Sequence, residues 1–212
     1  MKHRAERVRD IADQNHPVIF ETMLCRYVDN FLSYVADLLG VIMVLNPRAL
    51  ANRDSTISLK DVLNHDTMES LHEWLVDRKV NDLTFQGFGR IVEYYKTKFD
   101  FILVTDQNIE RTITMAVATR NLLVHKRGII DSRFLEVVGA DMGRVGQRVR
   151  VADRIWTELL PAILACVRDT DKRAADKFCL QSAMVFHDQR VVEDHERFMR
   201  SLIEEVLNWS RS

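Results

Sequence analysis

The chain has 212 residues, of which 47% are hydrophobic and 29% are charged, with a formal net charge of −1. This composition suits one large folded domain, and the near-neutral charge excludes binding of nucleic acid through bulk positive charge. Because the chain has only 7 Gly and 3 Pro, its long stretches without helix breakers favour an all-α fold over a β fold with many turns. The 3 Cys are widely spaced and indicate buried thiols of a reducing compartment.

The first predicted element is an amphipathic helix from Pro17 to Leu45, since its apolar residues recur at close to helical spacing. Pro17 suits a first helical turn, and Asn46-Pro47 predicts the end of the helix. Residues 1–16 are polar, which predicts a frayed or surface helix, and they lack the apolar run of a secretory signal. The longest apolar run, Leu38–Leu45, is shorter than the ~20 residues of a membrane span. A cytoplasmic protein without membrane contact is therefore expected.

Helix-capping sequences mark the next region. Ser58 and the Asp66-Thr67 pair precede short apolar patterns, which predicts short helices between residues 51 and 82. A separate helix is predicted over Leu83–Phe101, although glycine at position 87 lowers helix propensity near its start.

Histidine–aspartate pairs raise the possibility of a metal site. His65-Asp66 and His187-Asp188 are such pairs, and His72 can share a helix face with His65. Pairs of this kind occur in helical phosphohydrolases, but a full set of ligands at suitable positions is not visible. Surface histidines and a capping aspartate explain the pattern more simply, so no metal or other cofactor is expected.

A long helix is predicted to begin at Asp106, an N-cap with Ile109 as its first core residue, and to end at Gly128. On a projection at about 100° per residue, Arg120 falls inside the apolar stripe. A charge there is costly unless it is paired or faces a partner or ligand. His125 lies at the fraying end, where the backbone can turn it back toward Arg120.

The segment from Arg120 to Arg154 is locally basic. It holds eight Arg and Lys against four acidic residues, a local charge of +4, which can attract phosphate. A solvated basic helix face explains the part from Arg144 to Arg154 equally well.

The remaining elements are predicted from caps and apolar spacing. Asp131 can cap a short helix through Val138, and a long helix is predicted from Val145 to about Arg173. A last amphipathic helix forms a C-terminal extension over residues 180–212 of a single domain spanning 1–212. Its apolar side can pack on the core or on a second subunit.

The run Arg120-Asn121-x3-His125, at the end of a long helix and followed by Gly128-Ile129-Ile130-Asp131, resembles the R-x4-6-H motif of the HEPN superfamily. A small polar residue after the Arg is usual in that family, and Asn121 supplies it. Lys126 departs from the Asn that is common after the His. The resemblance implies an all-α, HEPN-like helical bundle with long antiparallel helices, and a twofold homodimer in which two motifs meet.

The resemblance also implies a metal-independent endoribonuclease. His125 would move the proton of the ribose 2′-hydroxyl or of the leaving 5′-oxygen, Arg120 would stabilise the charged phosphorane, and Asn121 would orient the site or bind phosphate. The expected products are a 2′,3′-cyclic phosphate and a 5′-hydroxyl. Lys126 and Arg127 are expected, from their charge alone, to bind phosphates of the RNA substrate.

Three other interpretations stay open. The chain can be a non-catalytic HEPN-type dimerisation, nucleotide-binding or RNA-binding protein, or a metal-dependent phosphohydrolase. In the simplest interpretation Arg120 is an interface salt-bridge residue and His125 a helix C-cap. The resemblance further suggests a toxin or antiviral defence role, with an antitoxin or another regulatory protein as partner.

Overall fold

The computed structural model describes residues 2–51, 56–151 and 153–180, with side chains described from residue 17 onward except those of 153–156. In this part of the chain there are seven α-helices, two 3-10 helices and no strand, which confirms the predicted all-α class. The α-helices are α1 (Lys2–Leu45), α2 (Leu59–Leu63), α3 (Met68–Gln86), α4 (Phe88–Phe99), α5 (Gln107–Lys126), α6 (Ser132–Val138) and α7 (Asp153–Phe178). The 3-10 helices cover Pro47–Leu50 and Ala140–Met142.

Helix α1 is longer than the sequence predicts. Pro17 lies inside the helix, so the predicted start there is wrong. A proline inside a helix removes one backbone hydrogen bond, at a cost of about 3 kcal/mol. The segment before Pro17 contains Ala, Arg and Glu, which favour helix, and the helix continues across the proline. The predicted end is confirmed, because Asn46 donates from its side chain to the Ile42 carbonyl at 2.9 Å and Pro47 opens a 3-10 turn.

The part of α1 from Pro17 to Leu45 supplies the centre of the core. Its buried side chains contact α3, α4 and α5. The fully buried Tyr95 of α4 donates its hydroxyl to the Val35 carbonyl at 2.8 Å, which joins α4 to α1. The same part is long and apolar enough to cross a membrane, with a mean hydropathy of 1.7 in an 18-residue window of which 44% is buried in the fold. A core helix meets that length and composition test as readily as a membrane helix does.

The boundary between α3 and α4 differs from the prediction. Helix α3 continues to Gln86, past the predicted division at residue 83. The chain turns at Gly87, whose φ of +98° is accessible to a residue without Cβ. Ser58 caps α2 as predicted, whereas α3 is capped by Thr67, with Ser70 completing a capping box, and not by Asp66.

Helices α5 and α6 begin where their caps predict. The Asp106 carboxylate accepts from the amides of Asn108 at 2.8 Å and Ile109 at 3.0 Å. Asp131 accepts from the Phe134 amide at 2.9 Å. Helix α5 ends at Lys126, and the next two residues, Arg127 and Gly128, have φ values of +55° and +75°. The predicted glycine end of this helix is confirmed.

The predicted helical start at Val145 is wrong. The segment before α7 is extended and pairs with the turn after α5 through an isolated antiparallel bridge between Ile129 and Arg148. Here Val149 is buried while Arg148 and Arg150 are exposed. This alternation has a period of two, which belongs to an extended chain and not to a helix.

The chain divides into two compact units between Arg168 and Asp169, inside α7. The first unit contains α1 to α6 and the candidate motif. In the described part of the second, Arg173 pairs with Asp169 one helical turn earlier at 2.8 Å. The predicted C-terminal extension over 180–212 lies almost wholly outside the described residues.

Candidate functional site

Arg120 of α5 is partly buried and paired with an acid on α1. Its Nε donates to Asp29 Oδ1 at 2.8 Å, and its Nη1 donates to the side-chain oxygen of Asn121 at 3.0 Å. The Arg120 side chain is 22% exposed and that of Asp29 41%. The pair explains how a cation is accommodated in the apolar stripe of α5, since a paired charge is far less costly to bury than an isolated one.

The bonds to Asp29 and Asn121 leave donors on Arg120. A guanidinium carries five N–H groups in one plane, so these two bonds fix the plane and leave N–H groups on both terminal nitrogens. Such an arrangement can still present a flat pair of donors to phosphate oxygens.

His125 lies in the last turn of α5 and is exposed. It makes no hydrogen bond or ion pair with any residue whose side chain the structure describes, and none joins it to Arg120. Five residues of helix separate the two side chains by about 140° around the axis, and the helix remains regular through Lys126. The two motif residues therefore have different environments: Arg120 is held by hydrogen bonds, whereas His125 is exposed and points away from it.

A second arginine ties the turn after α5 to α1. Arg148 donates from Nη1 to the main-chain carbonyl of Arg127 at 2.8 Å. Its Nη2 donates to both carboxylate oxygens of Glu21, at 3.0 and 2.8 Å. The sequence singles out neither Glu21 nor Asp29, and Arg148 appears in it only as one cation of the basic segment from Arg120 to Arg154. The signal for the two acids is their shared face with Cys25 on α1, at positions 21, 25 and 29 among apolar neighbours.

The order of these contacts defines how the two helices run. The earlier residue of α1, Glu21, meets the end of α5 through Arg148, whereas the later residue, Asp29, meets Arg120 one turn and a half before that end. Helices α1 and α5 are therefore antiparallel along this stretch.

Cys25 lies between these two ion pairs. Burial raises the pKa of its thiol, the positive charge of Arg120 lowers it, and the carboxylates of Asp29 and Glu21 raise it further. The pKa of the thiol thus responds to the Arg120–Asp29 pair and to the Glu21 carboxylate.

Exposed cations lie at the end of α5 and in the segments of the chain that follow it. None of them forms an ion pair within the part of the chain that the structure describes, in contrast to Arg120 and Arg148. They are Lys126, Arg127, Arg133, Arg144 and Arg150. Because Asp29 and Glu21 neutralise the two paired arginines, the local positive charge available to a ligand comes from these exposed side chains.

Two open clefts lie beside this region. The larger, of about 930 Å³, is lined by Glu21, Arg148 and Arg150 among others. The smaller, of about 520 Å³, lies between α5 and α6 and includes Arg111 and Glu110. Neither of these two clefts is lined by Arg120 or His125.

The candidate metal ligands do not converge in the described residues. The His65 ring packs on Trp74 with a centroid distance of 5.3 Å, and His72 Nε2 is buried without a hydrogen-bond partner. Within the described residues no three His, Cys, Asp or Glu side chains could jointly hold a metal ion. His187 and Asp188 lie outside the described residues.

No protein-family model matches the chain, and neither does any curated protein or solved structure. The resemblance to HEPN domains therefore rests on the residues at the end of α5 and in the turn after it. The geometry around those residues, and not an overall similarity, is what bears on function.

Proposed function

We propose that the protein is a metal-independent endoribonuclease of the HEPN type that acts as a cytoplasmic homodimer. One observation carries the proposal: Arg120 is held by Asp29 and Asn121 with N–H donors left over, and five residues later stands an exposed His125 that makes no hydrogen bond to the side chains the structure describes. A cation held in place and an accessible imidazole are two groups that promote cleavage of RNA by its own 2′-hydroxyl.

The reaction follows from these groups. The ribose 2′-oxygen attacks phosphorus as its proton passes to one imidazole, and the P–O5′ bond breaks as a second imidazole protonates the leaving oxygen. The products are a 2′,3′-cyclic phosphate and a 5′-hydroxyl. Arg120 stabilises the additional negative charge on the phosphorane. One chain has one such histidine, so His125 of a second copy would supply the other proton transfer, as in a twofold dimer.

The exposed cations at the end of α5 support an RNA substrate. Lys126 and Arg127 would bind phosphates next to the scissile bond, with Asn121 orienting Arg120. A toxin or antiviral defence role is part of the proposal, with an antitoxin or other regulatory protein as a partner that silences the site.

A second candidate function has its own observation. Arg120 is already in an ion pair with Asp29, and a paired arginine with a remote histidine also suits a non-catalytic dimerisation, nucleotide-binding or RNA-binding protein. In that case the exposed cations bind the ligand and His125 has no part in proton transfer.

The test is cleavage of total RNA by purified protein in the presence of a chelator. Wild type is compared with His125→Ala and with His65→Gln, a histidine change outside the motif, after all three are shown by light scattering to have the same oligomeric state. We expect cleavage by wild type and His65→Gln, no cleavage by His125→Ala, and cyclic phosphate ends in the products.

Each other result has a definite meaning. Folded wild-type protein that binds RNA without cutting it supports the binding function. Cleavage that is absent in chelator and appears when a divalent ion replaces it supports the phosphohydrolase interpretation. Equal cleavage by wild type and His125→Ala removes His125 from the mechanism.

A further inference from the structure

We propose that Arg148 is a positioning residue of the candidate site: it fixes the turn after α5 to Glu21 of α1 and so sets where His125, Lys126 and Arg127 stand relative to Arg120. The role of these groups in cleavage rests on the proposed function, whereas the position of the turn can be measured independently.

The Arg148 guanidinium joins two elements. One terminal nitrogen donates to the Arg127 carbonyl at 2.8 Å, and the other donates to both oxygens of the Glu21 carboxylate, at 3.0 and 2.8 Å. A carbonyl at a helix C-terminus lacks an intrahelical partner, and here a cation satisfies it. The planar fork of arginine can make both sets of bonds at once, whereas the single ammonium of lysine cannot hold the same geometry.

The main chain of residues 147–149 is also hydrogen-bonded to the turn after α5. The Val149 amide donates to the Gly128 carbonyl at 2.7 Å, and the Ile130 amide donates to the Gln147 carbonyl at 2.8 Å. These bonds bring the backbone of Arg148 against the turn, and the side chain then reaches across to α1. Without the side chain, the turn loses the bonds of Arg148 to Glu21 of α1, so its main-chain bonds to the 147–149 segment should open more often.

The two ties to α1 have matched spacing. Glu21 and Asp29 are eight residues apart, about 12 Å along a helix that rises about 1.5 Å per residue. Arg120 and Arg127 are seven residues apart, about 10 Å by the same rise. Helix α1 therefore holds the beginning of the motif through Asp29 and its end through Arg148.

The contribution of this tie to stability is expected to be small. Arg148 is 56% exposed and Glu21 20%, and exposed ion pairs add little to the free energy of unfolding. Its effect on the reaction can be large, because displacement of a catalytic group by about 1 Å can lower the rate on the order of 100-fold. A positioning role thus predicts a loss of turnover out of proportion to the loss of stability.

The experiment compares Arg148→Gln, Arg148→Lys and Glu21→Gln in the full chain. Arg90→Gln is the matched control, because it removes an exposed ion pair with Glu93 on α4. The first readout is amide hydrogen exchange at Gly128 and Ile130. The second is RNA cleavage in chelator, resolved into kcat and KM, with melting temperature and circular dichroism measured for every variant.

We expect faster exchange at both amides in Arg148→Gln and Glu21→Gln, a smaller increase in Arg148→Lys, and no change in Arg90→Gln. We expect kcat to fall about 10- to 100-fold in Arg148→Gln while KM changes less than about threefold. Exchange rates and kcat equal to those of Arg90→Gln would overturn the proposal.

Two further outcomes are separable. If the wild type cuts no RNA, the proposed function fails, and the exchange rates alone decide whether Arg148 holds the turn. If Arg148→Gln does not fold, Arg148→Lys carries the test, since it keeps the charge and loses the fork; unchanged exchange and kcat in that variant would overturn the proposal.

Discussion

Asp29 and Arg120, 91 residues apart in the sequence, are joined by an ion pair of 2.8 Å between α1 and α5. The ion pair compensates the charge of Arg120 in the apolar stripe of α5 and fixes the orientation of its guanidinium. It also makes α1, which carries no motif, part of the candidate site.

The first prediction concerns Asp29→Asn. Without the carboxylate, the Arg120 plane is held by Asn121 alone, so we expect RNA cleavage to fall about tenfold or more. The free energy of unfolding should change by less than about 1 kcal/mol, since the pair is partly solvent-exposed. Cleavage assays and urea unfolding measure the two effects. Asp169→Asn, which removes the helical pair with Arg173, should leave cleavage unchanged.

An increase in cleavage in Asp29→Asn would mean that Asp29 competes with phosphate for Arg120 and would contradict the prediction.

The second prediction concerns Gly128→Ala. Gly128 is buried at φ +75°, and an added Cβ would lie 3.3 Å from Leu123 Cδ2 and 3.5 Å from Arg148 Cγ. Left-handed backbone costs a residue with Cβ about 1–2 kcal/mol, so we expect a loss of stability of at least that size. Gly89→Ala is the control, because Gly89 is helical with open space around its Cβ position, and alanine there should stabilise by up to about 1 kcal/mol. Chemical unfolding of both variants gives the comparison, and equal stabilities would contradict the prediction.

The third prediction concerns the Cys25 thiol. Its pKa is raised above the ordinary value of 9.0, chiefly by burial, while Arg120 lowers it. We therefore expect alkylation of Cys25 to require higher pH than alkylation of a free thiol. Arg120→Gln should shift the rate profile to still higher pH, because the charge that favours the thiolate is gone. Mass spectrometry of the Cys25 peptide across a pH series measures the profile. A shift of the profile to lower pH in Arg120→Gln would contradict the proposed influence of the Arg120 charge on the thiol.

The same raised pKa has a consequence for stability. The folded state holds the thiol proton more tightly than the unfolded chain does, so this contribution is fully present below pH 9.0 and is lost as pH rises through the folded pKa. Thermal unfolding of wild type and Cys25→Ala above pH 9 should show a steeper decline for the wild type.

The fourth prediction concerns Tyr95→Phe. The Tyr95 hydroxyl is buried and donates to the Val35 carbonyl at 2.8 Å, and its removal should lower the free energy of unfolding by about 1 kcal/mol. Tyr94→Phe should lower the free energy of unfolding by less. The Tyr94 hydroxyl, which donates to the Ala49 carbonyl, is only partly buried, so a water molecule can donate to that carbonyl in its place. In urea unfolding, the slope of the free energy of unfolding against urea concentration should be the same in each variant as in the wild type, which would show that the substitution changes stability alone. A larger loss in Tyr94→Phe would contradict the ranking.

Several local features of the fold could be predicted from the sequence. The caps at Ser58, Asp106 and Asp131 were correct because a side-chain oxygen satisfies amides within the next few residues, and nothing distant is needed. The glycine turn after α5 was correct for the same reason. The start at Pro17 was wrong because neighbouring helix formers outweighed one lost bond, and the start at Val145 was wrong because extended pairing with a distant turn replaced helical bonding.

Some residues of the candidate site can likewise be identified from the sequence, and others cannot. Arg120 stands out in the sequence because it is a charged residue inside an apolar stripe. Asn121 and His125 stand out only through the resemblance of the run to the HEPN motif. Asp29, Glu21 and Arg148 do not stand out, since surface acids and arginines are common on every helix.

By itself, the sequence determined the all-α class, the caps at Ser58, Asp106 and Asp131, and the end of α5, because the caps and the helix end depend on interactions within a few residues of the chain. Only the tertiary structure decided which charges are paired and which are free. Asp29 meets Arg120 and Glu21 meets Arg148 because α1 and α5 pack antiparallel, and that packing depends on burial of apolar surface across the whole of the first unit. The exposed state of His125 follows from the same packing, since the face of α5 that turns toward α1 is the one that carries Arg120.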